Sequence, residues 1–171
     1  LSAWPRAVET LQQAILADPE FALAHAALAR AYAIRAQSTD AKSSISRASD
    51  LVARNGTPRE RSHVATLAFA VTGQAARALP AALTHIDQWP RDVVIMSLPL
   101  GAFGLLAFSG MADHDQARVD LCERYVDNFE SDDWWFLTYR GWSHAENGAV
   151  RLGRDLAQRG LDLRPANANG A

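Results

Sequence analysis

The chain has 171 residues, of which 49% are hydrophobic and 21% are charged, proportions typical of a globular domain or a short repeat array. Its formal net charge of -2 argues against a basic surface for nucleic acid or anionic membranes. The single cysteine, Cys122, excludes an internal disulfide and a cysteine-rich zinc site, and we expect a cytoplasmic protein. The arginine- and alanine-rich composition is typical of a bacterial source. From its two ends, Leu1 and "NANGA", we expect a fragment of a longer chain.

Helical periodicity dominates the first half of the chain. In "AVETLQQAILADP", the apolar residues Val8, Leu11 and Ile15 share one face, and Pro19 ends the helix. The alanine-rich "FALAHAALARAYAIRAQ" and the amphipathic "AKSSISRASDLVARNG" follow, and Gly56 marks a helix end. No run alternates between apolar and polar residues, so we predict helices and no strands.

The apolar segment "VVIMSLPLGAFGLLAFSGMA", residues 93–112, carries no charge over a length that could span a bilayer. Pro99 and three glycines interrupt it, however, and it is flanked by Asp92 and Asp113 without a lysine anchor. A buried helix in a helical stack shows the same all-round apolarity. We therefore expect a buried segment and no membrane span.

Three segments repeat one frame of small residues and a closing proline. The segments are "AVETLQQAILADP", "ALPAALTHIDQWP" and "GRDLAQRGLDLRP". Small residues allow paired helices to approach closely, and a proline stops one helix before the next begins. The matching sets are Ala7, Leu11, Ala14 and Pro19; Ala78, Ala82, His85 and Pro90; and Gly153, Ala157, Gly160 and Pro165. A weaker copy comprises Ala41, Ile45, Ala48 and Ala53.

This frame resembles the second helix of the tetratricopeptide (TPR) repeat, whose unit has 34 residues. The resemblance implies a single all-α domain over residues 1–171, a right-handed superhelical stack of antiparallel helix hairpins, or α-solenoid. The implied units are a lone second helix at 1–20, repeats at 22–55 and 59–92, a divergent repeat at 93–130 and a repeat at 134–167.

In the TPR family the concave face of the stack binds a peptide or a partner protein. The resemblance therefore implies a non-catalytic scaffold with no cofactor and no metal. The corresponding groove positions in this chain are Arg30, Glu60, His63, Trp135, Thr138, Trp142 and Glu146. Two alternatives stay open: a helical-repeat enzyme or small-molecule-binding protein whose site lies partly outside this fragment, and a structural packing module. Exposed repeat ends would also favour a homo-oligomer.

Other polar residues have simpler interpretations than catalysis. The run Asp113-His114-Asp115 falls where a solvated, helix-capping turn is expected. His85 takes a normally small, buried position and is interpreted as a core histidine. Glu60 and His63 are three residues apart and are expected to form a surface pair. Cys122 has no base partner in the pattern, so we interpret it as a small core residue. His144 and Arg140 are expected to line a polar seam.

The aromatic segment "SDDWWFLTYRGWSHAENG", residues 131–148, is predicted to be the first helix of the last repeat. Ser131 or Asp132 would cap its amino end. By helical angle, one stripe contains Trp135, Tyr139 and Trp142, and it either faces the groove or packs in a seam. A second stripe, Leu137, Gly141 and His144, should meet the paired helix.

Overall fold

A computed structural model of the chain describes residues 6–166. All regular elements in this part of the chain are helical, which confirms the predicted all-α class. Residues 1–5 of the predicted range 1–20, and residue 167 of the range 134–167, lie outside the described residues. The helices are α1 (Ala7–Ala17), α2 (Ala22–Ile34), α3 (Ser38–Asn55), α4 (Pro58–Val71), α5 (Ala75–Gln88), α6 (Val93–Leu100), α7 (His114–Arg124), a short 3-10 turn (Val126–Asn128), α8 (Trp134–Glu146) and α9 (Val150–Leu163).

The described part of the chain divides into two compact units, the first ending at Ile95 and the second beginning at Met96. In the first unit, α2 packs against α1, α3 and α4, and α4 also packs against α3 and α5. Val8 of α1 forms an apolar cluster with Leu28 and Ala31 of α2. Leu11 and Ile15 pack against the same cluster, so the predicted apolar face of the first helix is the face that α1 buries.

Small residues of the repeat frame lie in the core of the first unit. Ala41 and Ala48 of α3, and Ala78 and Ala82 of α5, are each at most 1% exposed. An alanine at such a position leaves room for a neighbouring helix to approach closely. The turn between α4 and α5 contains Gly73 with a φ of 76°, a left-handed conformation that glycine adopts without steric cost.

The apolar segment 93–112 does not form one long helix. Its only α-helix is α6, and the chain turns repeatedly from Gly101 to Ser109 before α7 begins. In this segment Gly104 is buried, and a Cβ at its position would lie 2.7 Å from the Gly101 backbone nitrogen. Among residues 6–166, none of the helices combines the length and the apolarity that a membrane span requires.

In the second unit, α8 packs against α7 and, most extensively, against α9. Glycines make the α8–α9 approach possible: a Cβ at Gly153 would lie 2.5 Å from the Gly141 carbonyl oxygen. A Cβ at Gly160 would lie 2.6 Å from Thr138 Oγ1. Gly153 therefore contacts a later part of α8 than Gly160 does, so the two helices are antiparallel. The expected contact of Gly141 with the paired helix is confirmed.

The amino end of α8 differs from the expectation. Asp133, and neither Ser131 nor Asp132, is the N-cap residue, and its side chain accepts a hydrogen bond from Phe136 N at 2.9 Å. An N-cap needs extended backbone angles and a side chain that reaches an amide in the first turn. Asp133 meets both conditions, with a φ of -69° and a ψ of 97°.

Candidate functional site

Three of the predicted partner-binding residues lie in the first unit, and two of them have structural contacts that the sequence did not reveal. Glu60 accepts a hydrogen bond from Thr57 N at 2.8 Å and completes a capping box at the start of α4. His63 is only 4% exposed and lies in the interior, so it does not form the expected surface pair with Glu60. Arg30 is partly buried on α2.

The other four predicted residues lie on α8. The Trp135 ring packs against Tyr139, with centroids 4.7 Å apart, and against Phe129 at 6.3 Å. The Arg118 guanidinium lies 4.6 Å from the centre of the Trp142 ring. Two further positions are Thr138, which is buried and donates a hydrogen bond to the Trp134 carbonyl at 2.7 Å, and Glu146, which is exposed.

A cleft of about 170 Å³ opens beside α8 in the second unit. Thr138, Tyr139 and Trp142 line it from α8, and Gly101 and Ala102, which follow α6, complete its lining. Two predicted partner-binding residues, Thr138 and Trp142, thus lie in one concave feature. Their spacing of four residues places both on the same face of the helix.

A second polar feature, buried in the first unit, was not predicted. Asp92 lies in the turn before α6. Its carboxylate oxygen Oδ2 is 2.9 Å from His63 Nδ1 of α4. The same oxygen lies 2.9 Å from Arg59 Nη2 and 3.3 Å from Nε2 of His85 on α5. His85 is fully buried, and Asp92 is 5% exposed. We call His63, His85 and Asp92 the histidine–aspartate cluster.

Hydrogen bonding leaves part of this cluster unsatisfied. His85 Nδ1 lies 2.9 Å from Ser62 Oγ, which fixes the orientation of the ring. Within residues 6–166, Nε2 of His63 and Nε2 of His85 are buried and have no hydrogen-bond partner. His85 Nε2 is close to Asp92 but is not aligned for a hydrogen bond. A buried polar atom without a partner typically costs about 1–3 kcal/mol.

The carboxylate of the cluster is ionised. Burial by itself would raise the pKa of Asp92, but the hydrogen bond from His63, the nearby His85 ring and the charge of Arg59 outweigh it. Together they hold the pKa well below its usual range. Asp92 is therefore a hydrogen-bond acceptor with no proton to donate at neutral pH.

The cluster contains three side chains that could act as metal ligands. One ligand atom each from His63, His85 and Asp92 can be chosen so that all three lie within 4.8 Å of one another. Imidazole nitrogen and carboxylate oxygen are common ligands of transition metals. The sequence pattern pointed to part of this arrangement, since it predicted that His85 is buried. It missed Asp92, which lies 29 residues from His63.

The remaining polar candidates have structural roles. His144 and Arg140 both contact Glu123 of α7, at 2.7 Å from Oε1 in each case, which agrees with a polar seam there. Burial raises the pKa of the Cys122 thiol to about 12, despite the nearby Ser143 hydroxyl. Cys122 is therefore a protonated core residue at neutral pH and a poor nucleophile.

The acidic run before α7 forms local ion pairs. Asp113 is the N-cap residue but makes no side-chain capping hydrogen bond. Asp115 pairs with Arg118 and lies 3.2 Å from His114 Nδ1. Arg118 is 3% exposed and also contacts the Trp142 ring, so this run supports one wall of the α8 cleft.

Comparison with family models, with curated proteins and with solved structures finds no significant match for this chain. The TPR resemblance therefore rests on the repeat frame of the sequence.

Proposed function

We propose that this chain is a TPR-like scaffold of helix hairpins that binds a peptide or protein partner, with the α8 cleft as a contact site. The observation that carries the proposal is the cleft itself, whose wall contains Thr138, Tyr139 and Trp142. The buried small residues of the repeat frame and the α2–α3 and α4–α5 packing support the repeat architecture. A right-handed superhelix, a bacterial source and a cytoplasmic location belong to this proposal.

The size and walls of the cleft favour one peptide side chain over a larger ligand. Small-molecule sites usually enclose about 300–1,000 Å³, whereas this cleft has about 170 Å³. The Trp142 ring is held by Arg118 on the neighbouring helix, so binding costs little side-chain entropy. Aromatic rings of this kind are frequent hot spots in interfaces. We propose a partner segment that inserts an apolar side chain beside Trp142.

Replacement of Trp142 tests this function. Peptides selected from a random 12-residue display library against the wild-type chain would be synthesised and measured by isothermal titration calorimetry. Trp142→Ala should weaken their binding by about 2 kcal/mol, roughly 30-fold, because the ring is a wall of the cleft. Phe108→Ala is a matched control, since Phe108 is 69% exposed and does not line the cleft.

The control should change affinity by less than about twofold. Unchanged peptide affinity in Trp142→Ala, together with a lower melting temperature, would contradict the proposal, because Trp142 would then be a packing residue. Failure to select any peptide that depends on Trp142 would also count against it.

A second candidate function is a helical-repeat enzyme or small-molecule-binding protein. The observation that favours it is the solvent-poor histidine–aspartate cluster, in which an imidazole and an ionised carboxylate are hydrogen-bonded. Such a pair is suited to general acid–base chemistry. Peptide affinity of Trp142→Ala and Asp92→Asn distinguishes the two candidates. The scaffold should lose affinity in Trp142→Ala and keep it in Asp92→Asn, because only the second candidate requires Asp92.

Packing against another copy, or against another part of a longer chain, is the remaining prediction. Helix α9 exposes Val150, Leu152 and Leu163, and exposed apolar side chains at the end of an array favour association. Light scattering of the purified chain at several concentrations would show whether a homo-oligomer forms through this helix, which Leu152→Glu should then dissociate.

A further inference from the structure

The histidine–aspartate cluster differs from an ordinary buried polar network. In most such networks each buried nitrogen has a hydrogen-bond partner. Here two imidazole nitrogens, Nε2 of His63 and Nε2 of His85, have none within the described residues. Both belong to rings that lie beside one ionised carboxylate, Asp92. Two imidazole nitrogens without partners, beside a carboxylate in a dry interior, form an environment that suits a cation.

From this geometry we infer that His63, His85 and Asp92 bind a divalent transition-metal ion. The ligands would be a ring nitrogen of His63, Nε2 of His85 and a carboxylate oxygen of Asp92. Two imidazoles and one carboxylate suit Zn²⁺ and related ions, whereas Mg²⁺ and Ca²⁺ prefer oxygen ligands alone. This inference goes beyond the proposed partner binding and does not depend on it.

The ligand atoms of the cluster are already close together. In a tetrahedral zinc site with bonds of about 2.0–2.1 Å, neighbouring ligand atoms are roughly 3.4 Å apart. His85 Nε2 and Asp92 Oδ2 are already 3.3 Å apart, and all three ligand atoms lie within 4.8 Å of one another. Rotation of the imidazole of His63 about its side-chain bonds changes which of its nitrogens faces the other two ligands.

Ser62 supports His85 as a ligand. Metal-binding histidines usually use one ring nitrogen for the metal and hydrogen-bond through the other. His85 Nδ1 is 2.9 Å from the Ser62 hydroxyl. When Nδ1 donates this hydrogen bond, Nε2 carries the lone pair and faces Asp92. Ser62 is thus a positioning residue for the metal ligand.

Arg59 is the feature that opposes a cation. Its guanidinium lies 2.9 Å from the Asp92 carboxylate oxygen. The Arg59 side chain is 48% exposed, so it can turn into solvent when a metal takes its place. The arginine would then compete with the ion for Asp92, and its removal should strengthen metal binding.

Zinc titration of the full chain tests the inference. Wild-type protein, freed of metal by a chelator and then dialysed, should bind one Zn²⁺ per chain in calorimetry, and excess Mg²⁺ should not compete. His85→Gln and Asp92→Asn should each weaken Zn²⁺ binding by at least about tenfold. His25→Gln is the matched control in the same unit, because His25 Nε2 contacts the Pro19 carbonyl outside the cluster. This control should bind as wild type.

Arg59→Gln keeps the test informative if the buried variants do not fold. It retains all three ligands and should tighten Zn²⁺ binding roughly fivefold, since a positive charge is removed from beside the site. Cobalt substitution adds a direct readout: visible ligand-field bands should appear in wild type and be lost in Asp92→Asn.

The inference is overturned if wild type binds no Zn²⁺, if His85→Gln and Asp92→Asn bind it with wild-type affinity, or if Arg59→Gln leaves the affinity unchanged. In the first case the cluster is a buried hydrogen-bond network only. In the others the ion lies elsewhere.

Discussion

Glu123 of α7 joins two basic side chains of α8. Its Oε1 accepts hydrogen bonds from Arg140 Nε and His144 Nε2, both at 2.7 Å, and its Oε2 accepts one from Arg140 Nη2 at 2.9 Å. The hydrogen bonds from Arg140 lower the pKa of Glu123, burial opposes them, and His144 adds to the lowering. The folded protein therefore favours the ionised form of the Glu123 carboxyl group.

The lowered pKa predicts how stability depends on pH. A carboxyl group with a lower pKa in the folded than in the unfolded state stabilises the protein above its unfolded pKa, here about 4.5. That contribution is lost as pH falls through the folded value. Glu123→Gln should thus reduce the free energy of unfolding at pH 7 by about 1 kcal/mol, a modest figure because the side chain is partly exposed.

Urea unfolding followed by circular dichroism at pH 7 and pH 3.5 would measure this effect. The stability lost between the two pH values should be smaller in Glu123→Gln than in wild type. Glu130→Gln, which alters an exposed acidic residue in the same unit, is the control. A Glu123→Gln variant with the full wild-type pH dependence would disprove the assigned role of the ion pair.

For individual residues, the sequence predicted which side chains are buried better than it predicted which side chains contact one another. Helical spacing placed Arg140 and His144 on one side of α8, but the acidic residue between them, Glu123, comes from another helix. The burial of His85 followed from its place in the small-residue frame. The role of His63 did not follow from the sequence. Its neighbour Glu60 caps the start of α4 and does not pair with it. Its partner, Asp92, is brought close to it by tertiary packing.

Among the helices, the α8–α9 pair shows most directly how small residues determine packing. A Cβ at Gly153 would lie 2.5 Å from the Gly141 carbonyl oxygen and 2.7 Å from the Ala145 Cβ. Both atoms belong to the facing helix and cannot move independently of it. The glycines are therefore required by the distance between the two helix backbones.

Gly153→Ala should destabilise the protein by about 2 kcal/mol, because the added methyl group must push α8 and α9 apart. Helix propensity alone would predict the opposite sign, a gain of about 1 kcal/mol, so the sign of the change is decisive. Urea unfolding would measure it, with Arg151→Ala, an exposed position on α9, as the control. If Gly153→Ala were at least as stable as the wild type, the close approach of α8 and α9 would be refuted.

Some helix ends could be predicted from the sequence because their signals are local. Prolines and glycines can end helices through their own backbone restrictions, as at Pro19, which follows the end of α1 at Ala17. The segment 93–112 was harder. Its uniform apolarity indicates burial but has no period, so the short α6 and the turns after it could not be distinguished from one longer helix.

Considered as a whole, the chain has two compact units, each with one candidate site. The histidine–aspartate cluster lies in residues 1–95 and the α8 cleft in residues 96–171. The repeat frame, which extends through most of the chain, predicted helices with buried small residues but neither site's chemistry. Small residues indicate where two helices lie close together. A ligand cluster depends instead on which side chains of neighbouring helices lie near one another.

The glycine contacts between α8 and α9 also bear on hydrogen exchange. No side-chain layer separates the two backbones around Gly141 and Gly153, so water can reach the amides there only when the helices separate. Exchange in this region should therefore require opening of the whole α8–α9 hairpin and should be slow and uniform. Mass spectrometry of deuterium uptake would show this as a protected block that Gly153→Ala exposes, while amides near Gly148, in the turn, should exchange rapidly in both proteins.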